Sequence, residues 1–360
     1  MLIKISSSAI WSKAWPILFA LLFFGLIIVV HELGHFSVAK FFKVKINEFS
    51  IGMGPALFKR KKKDTVYALR LLPIGGFVSM EGEDEDSEDE NAFNKKACWK
   101  RVLIVAAGAF MNILLGLILI LIMKSTSDYI GTNVIAAFDD EKATSAHGIM
   151  IGDEIVEVNG RSVLTDLDLT YNMMSDKDGV LDIVVKRNGE KIELNEVKFD
   201  MIEYEDGTEA IYFDMYILAE EPTFLNVISS SFLETVSMIK IVYNSLFDLI
   251  TGQFSLRDMA GPIGTVDYIA DAASTSVKET DFSYILVIIS LITINIGVFN
   301  LLPIPALDGG RLFFLIIEMI RRKPINQKYE KYVHAAGFLL LILFMVVISA
   351  SDIIKLVNGG

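Results

Sequence analysis

Two histidines one helical turn apart flank a glutamate in His31-Glu32-Leu33-Gly34-His35. On an α-helix both imidazoles share a face and can reach one metal ion. Glu32 then stands beside them to take a proton from water. Zinc held this way lowers the pKa of a coordinated water toward about 7 and makes hydroxide available near neutral pH. The bland alternative is a pair of satisfied helix histidines with a surface glutamate. Its setting weakens it, because the motif follows an apolar run from Trp15 to Val30. Ionisable groups inside membrane segments cost about 2.5–3.5 kcal/mol each on insertion scales, and they mark function by default.

A catalytic zinc needs a third protein ligand and an open position. Asn300-Leu-Leu-Pro-Ile-Pro-Ala-Leu-Asp-Gly-Gly-Arg311 offers Asp308. This stretch is a polar, proline-broken interruption of a long apolar segment. Irregular backbone at membrane depth is tolerated only where protein or a water-filled cavity surrounds it. Zinc would give the Asp308 charge a partner there. Capping a helix that begins near Gly309 is the other role open to Asp308, and the two are compatible.

The elements that must carry these residues are apolar. Hydrophobic residues make up 52% of the 360, clustered at about 15–38, 102–123, 284–320 and 335–350. A bilayer span needs about 20 mostly apolar residues. The expected class is therefore a polytopic α-helical membrane protein with four transmembrane helices and one soluble insert. The first stretch is read as a retained helix, since no small-residue cleavage site follows it. The single cysteine, Cys98, excludes an intramolecular disulfide. The formal charge of −12 owes much to one run, Glu81–Glu90, expected as a solvated loop. Basic residues line no amphipathic or aromatic-interleaved surface, which argues against nucleic-acid binding.

Positive residues in short loops mark the cytoplasmic side. Lys40, Lys43, Lys45, Lys59–Lys63 and Lys95–Arg101 put residues 40–101 inside, and Arg321–Lys331 puts that loop inside too. Residues 125–283 and both termini then lie outside. An odd number of crossings must separate the two inner loops. Phe224–Ile250, amphipathic and interrupted by Glu234, Lys240 and Asp248, is accordingly expected at the interface rather than across the membrane. The division that follows is 1–124, containing a loop at 42–100; an insert at 128–218; an interfacial region at 219–283; and a C-terminal membrane part at 284–360.

Within the insert, Asn159-Gly160 and Asn188-Gly189 between β-branched runs signal hairpins. The string Ala143–Gly160, with Gly148, Gly152-Asp153 and Val158-Asn159-Gly160, resembles a PDZ domain. That implies a small β-rich module whose groove accepts a peptide as an added strand, or one that only gates access sterically.

Together, His31-Glu-Leu-Gly-His35 and Asn300-Leu-Leu-Pro-Ile-Pro-Ala-Leu-Asp-Gly309 strongly resemble the site-2 protease family of intramembrane zinc metalloproteases. The PDZ-like insert is similar to that of its bacterial RseP/RasP-like branch. Gly52-Met-Gly-Pro55, Leu72–Met80 and Met259–Gly264 also fit, so the resemblance covers nearly the whole chain. It implies zinc on His31, His35 and Asp308, and Glu32 as general base. It gives Asn300 a role on the substrate backbone or the oxyanion, where a helix–helix hydrogen bond is the alternative. It also implies a cytoplasmic, membrane-associated β element, with strands at Phe49–Phe58 and Val66–Met80. Implied substrates are single-pass membrane proteins such as anti-sigma factors or remnant signal peptides, already trimmed outside by another protease, in the bilayer of a bacterial plasma membrane. One departure is visible: the second helix reads Gly108-Ala-Phe-Met-Asn112, with Ala109 where the family often has proline. Asn112 is expected to bond a neighbouring helix rather than to support the site. Two rivals from other classes are a zinc transporter and an inactive membrane adaptor. The first would spread ionisable residues along a path across the bilayer, and the second has no need of intact His31, Glu32, His35 and Asp308.

Overall fold

The computed structural model describes residues 7–83, 85–139, 147–203, 209–253 and 261–358. Ala143–Ala146 of the PDZ-like string, Asp84 of the acidic run, and Met259 and Ala260 lie outside them. Eight α-helices and ten strands follow in order among the described residues: α1 Ser7–Phe41, β1 Ile46–Lys62, β2 Thr65–Met80, α2 Cys98–Thr126, β3 Ile130–Phe138, β4 Glu154–Val158, β5 Arg161–Ser162, α3 Asp166–Met174, β6 Val180–Arg187, β7 Glu190–Lys198, β8 Met201–Glu203, β9 Glu209–Ile211, β10 Met215–Glu220, α4 Phe224–Thr251, α5 Pro262–Glu279, α6 Ser283–Phe299, α7 Asp308–Arg321 and α8 Gln327–Asn358. They form two compact units, Met1–Gly116 with Asp248–Gly360, and Leu117–Phe247.

Four helices are long and apolar enough to cross a membrane by length and composition: Ala14–Phe41, Cys98–Thr126, Phe224–Thr251 and Lys328–Lys355. The chain is thus a polytopic membrane protein, but the four are not the four expected. The stretch 284–320 is two helices, α6 and α7, parted by Asn300–Leu307. The prolines and the left-handed Ala306 (φ 79°) break it. At 17 residues, α6 spans about 25 Å, short of a bilayer core of about 30 Å. In its place α4 qualifies by length.

In the first unit, β1 and β2 pair antiparallel twice over. Residues 46–51 of β1 lie between both halves of β2, with Phe49 opposite Tyr67 on one side and Val78 on the other. The strands outrun the expected ones: β1 continues through the basic run to Lys62, and only Lys63-Asp64 turn. Left-handed Gly52 lets β1 pass Leu72, whose carbonyl a Cβ there would strike. Ala39, Ile46, Met80, Ile104, Val105, Leu312 and Leu315 form one buried cluster. It joins α1, β1, β2, α2 and α7, so the elements that bear the histidines and Asp308 share one core. The acidic run is solvated at Glu85, Asp86, Glu88 and Glu90, which are exposed, but tied at other positions. Asn47 and Ser87 donate to Glu81, Lys45 pairs with Asp89 at 2.8 Å, and Glu83 pairs with Arg311. Asn47, Lys45 and Arg311 are partners from outside the run, which its composition does not reveal. In the same unit, Asp352 of α8 accepts the Gly261 and Gly264 N–H groups at 3.0 and 2.9 Å, which satisfies the start of α5.

In the second unit the main sheet runs β10-β3-β4-β6-β7, with β5 on β4. Leu181, Ile183 and Val185 alternate inward along β6 and meet Ile155, Val158, Leu169 and Met173 in the core. Both Asn-Gly pairs form the expected two-residue turns. Positive φ at Asn159, Gly160, Asn188 and Gly189 is the type I′ requirement.

Candidate metal centre

The histidine helix is α1, and its glycine sets how close α2 comes. A Cβ on Gly34 would collide with the Ala107 carbonyl and lie 2.9 Å from the Gly108 Cα, so the two backbones touch beside the motif. Gly108 faces the imidazoles directly: a Cβ there would lie 2.7 Å from His31 Nε2 and closer still to His35 Nε2. Asp308 arrives from α7. Gly309 and Gly310 let the Leu301–Pro305 loop fold onto its first turn, since a Cβ on Gly309 would overlap the Leu302 carbonyl and one on Gly310 would lie 2.6 Å from that of Ile304.

The outcome is a tight triangle. Asp308 Oδ2 lies 3.0 Å from His31 Nε2 and 3.1 Å from His35 Nε2, and the two nitrogens are 3.2 Å apart. Asp308 Oδ2 is buried, and the two imidazole nitrogens are what it faces. Three lone-pair atoms this close repel unless a cation sits among them. Two imidazole nitrogens and one carboxylate oxygen are a zinc-type donor set, and a tetrahedron with arms of about 2.1 Å has edges of about 3.4 Å. The residues therefore fit a zinc ion with one position left over.

Hydrogen bonds behind the ligands fix the ring orientations. His35 Nδ1–H donates to the Ile104 carbonyl at 2.8 Å, so its Nε2 presents a lone pair to the site. Asn112 of α2 lies 3.3 Å from His31 Nδ1 through its amide nitrogen, and its Oδ1 is buried and unpaired. Amide oxygen and nitrogen exchange places by a half-turn. Turned over, Asn112 accepts from His31 Nδ1–H and satisfies its own oxygen. Asn112 does bond a neighbouring helix, as expected, but the bond is to a site histidine, so the two roles set against each other are one. The Gly108-x-x-x-Asn112 spacing carried that signal. Glu32 lies on the face of α1 that meets β2: the Val78 N–H donates to its carboxylate, and a Cβ on Gly76 would lie 3.2 Å from its Cγ. Asn300 ends α6, its N–H on the Ile296 carbonyl at 3.1 Å. The triangle itself is built without it.

A two-histidine, one-carboxylate centre beside a glutamate, on helices of a polytopic membrane protein, defines a membrane metallopeptidase. The comparisons give the family. The model of Peptidase family M50 matches residues 19–344, and the chain belongs to that family, the site-2 proteases. A provisionally named zinc metalloprotease of Clostridium perfringens is 37% identical, over 94% of this chain and 98% of its own. One of Clostridium acetobutylicum is 36% identical, over 95% and 98%. The regulator of sigma-W protease RasP of Bacillus subtilis is 29% identical, over 93% and 97%.

Proposed function

We propose that His31, His35 and Asp308 hold the zinc of this metalloprotease, that Glu32 is its general base, and that it hydrolyses peptide bonds within or near the membrane segments of single-pass membrane proteins. The observation that carries the reading is the 3.0–3.2 Å triangle of His31 Nε2, His35 Nε2 and the buried Asp308 Oδ2. Bound zinc supplies Lewis acidity for the scissile carbonyl. Glu32 takes a proton from the attacking water as its oxygen adds to the carbonyl carbon, then gives that proton to the departing nitrogen as the C–N bond breaks. The Val78 N–H holds the Glu32 carboxylate in place for both transfers. Asn300, by family resemblance, holds the substrate backbone or the oxyanion.

A peptide bond within a membrane helix is already hydrogen-bonded, so it must unwind before it can react. The C-terminal half of β2, an outer strand of its sheet beside Glu32, offers a place for an unwound segment to pair. Met53, Leu57, Phe58, Leu71 and Leu72 of this β element are exposed and apolar, which supports a membrane-associated position. The sheet of the second unit is read as PDZ-like and extracytoplasmic, excluding substrates with bulky outer domains. Anti-sigma factors or remnant signal peptides, pre-trimmed outside by another protease, fit such a gate. The RasP relative's name, a regulator of sigma-W, supports that substrate class.

The test compares wild type and Glu32→Gln, purified and zinc-loaded, on a tagged single-span substrate with a trimmed outer domain. Cleavage by wild type alone, with equal zinc in both, is expected. Equal cleavage by both would remove Glu32 from the role of base, and wild type without zinc would remove the metal reading.

A further inference from the structure

On α8, Glu330, His334 and Gly337 stand at i, i+4 and i+7, one face of the helix. That face meets the Asp308 segment from both sides. Ahead of Asp308, the Ala306 N–H donates to His334 Nδ1 at 3.1 Å. Pro305 packs on Gly337, where a Cβ would collide with its side chain and lie 3.0 Å from its carbonyl carbon. Beyond Asp308, Arg311 faces Glu330 at 3.9 Å. Ala306 is held at φ 79°, a region that residues with a Cβ seldom enter and that persists only where surrounding contacts enforce it. Because His334 Nδ1 accepts, the neutral ring carries its proton on Nε2. Its ring also lies 6.0 Å from that of Phe314, centroid to centroid, so both nitrogen and ring are fixed.

We propose that His334 is a positioning residue for the metal centre. By holding the Ala306 N–H it maintains the left-handed turn two residues ahead of Asp308, and so sets the Asp308 carboxylate against the two imidazoles. The α8 stripe thus acts on the site without touching substrate or metal. The proposal rests on the reading of Asp308 as a ligand.

The experiment uses the full chain in detergent, with two readouts: zinc affinity by chelator competition, and the visible spectrum of the cobalt(II)-substituted protein, which reports ligand geometry. His334→Leu fills the volume and deletes the acceptor; His334→Asn restores an acceptor near the position of Nδ1. Zinc affinity is expected to fall on the order of tenfold in His334→Leu, with an altered cobalt spectrum, and to recover largely in His334→Asn. Wild-type affinity and spectrum in His334→Leu would overturn the proposal, as would equal loss in both variants, which marks simple packing. Should His334→Leu fail to fold, His334→Gln, whose amide takes the Nε2 rather than the Nδ1 position, removes the acceptor from the Ala306 N–H in its place; an unchanged spectrum and affinity there would overturn the proposal. Asp308→Ala separates the two readings. If it binds zinc like wild type, the ligand assignment fails and the proposal with it. If it loses zinc while His334→Leu does not, only the role of His334 fails.

Discussion

Gly108 carries no functional group, yet a Cβ on it would collide with the Nε2 atoms of both imidazoles. Alanine favours a helix over glycine by up to about 1 kcal/mol, so Gly108→Ala should leave α2 intact. Its methyl group would occupy the space beside His31 and His35 Nε2. Zinc affinity should drop by on the order of tenfold or more with unchanged helical circular dichroism, as chelator competition on the folded protein would show. Asn112 makes a complementary case. Asn112→Leu removes the acceptor for His31 Nδ1–H and should weaken zinc binding roughly 10–100-fold, whereas Asn112→Asp keeps an acceptor and should stay nearer wild type. Equal loss in both would assign Asn112 to packing alone. The histidine pair was legible in the sequence because helical spacing alone brings i and i+4 together. Asp308 was legible because a carboxylate in an apolar stretch demands a partner. Gly108 and His334 were not, since each acts through the space or hydrogen bond it gives a residue far along the chain.

At the scale of elements, the β sheet of the second unit turns on a buried charge. Asp153, fully buried, accepts from Arg187 Nε and Nη2, both at 2.8 Å, and from the Met150 N–H at 2.8 Å. Burial opposes its ionisation, but the guanidinium and the N–H outweigh burial and hold the carboxyl below its usual range. The stabilisation is therefore complete above the ordinary carboxylate value of about 4 and fades as pH falls from there through the lowered folded value. Amide exchange in β4 and β6, corrected for its intrinsic pH dependence, should accelerate in acid. Arg187→Met should cost about 3 kcal/mol by stranding Asp153, and it should abolish that acid sensitivity, because the stranded carboxyl prefers to be neutral. An acid response unchanged in Arg187→Met would place its origin elsewhere. The turns beside this pair were readable, as Asn-Gly permits positive φ at both positions. The double use of β1 by β2 was not. It depends on a bend at Gly52 and on which strand lies on which side, and periodicity records neither.

For the whole molecule, α4 decides how the chain threads the bilayer. Length and composition allow α4 to cross. Its contacts argue that it lies along the surface. Midway along α4, Ser237 donates to Asp168 at 2.7 Å, Lys240 reaches Asp168 at 3.1 Å and the Ser162 carbonyl at 2.9 Å, and Ser245 meets Tyr171 at 2.9 Å. These partners belong to α3 and the end of β5, in the polar β-rich unit. Were α4 to span, that unit would be drawn into hydrocarbon beside it, with its backbone and charges desolvated. Lys124, in the last turn of α2, pairs with Glu234 at 2.5 Å, which sets the middle of α4 at the level where α2 ends. The opposite face, with Phe224, Leu225, Phe232 and Phe247 exposed, suits the lipid side of an interfacial helix. In a Cys98→Ser background, single cysteines at Lys61, Lys191, Lys278 and Lys323, all exposed, can be labelled from either side of sealed vesicles. If α4 lies at the surface and α6 with α7 crosses once, Lys61→Cys and Lys323→Cys label together from the cytoplasmic side, and Lys191→Cys and Lys278→Cys from the other. Lys278→Cys is the discriminating position, because a spanning α4 would move it to the side of Lys61→Cys whatever α6 and α7 do.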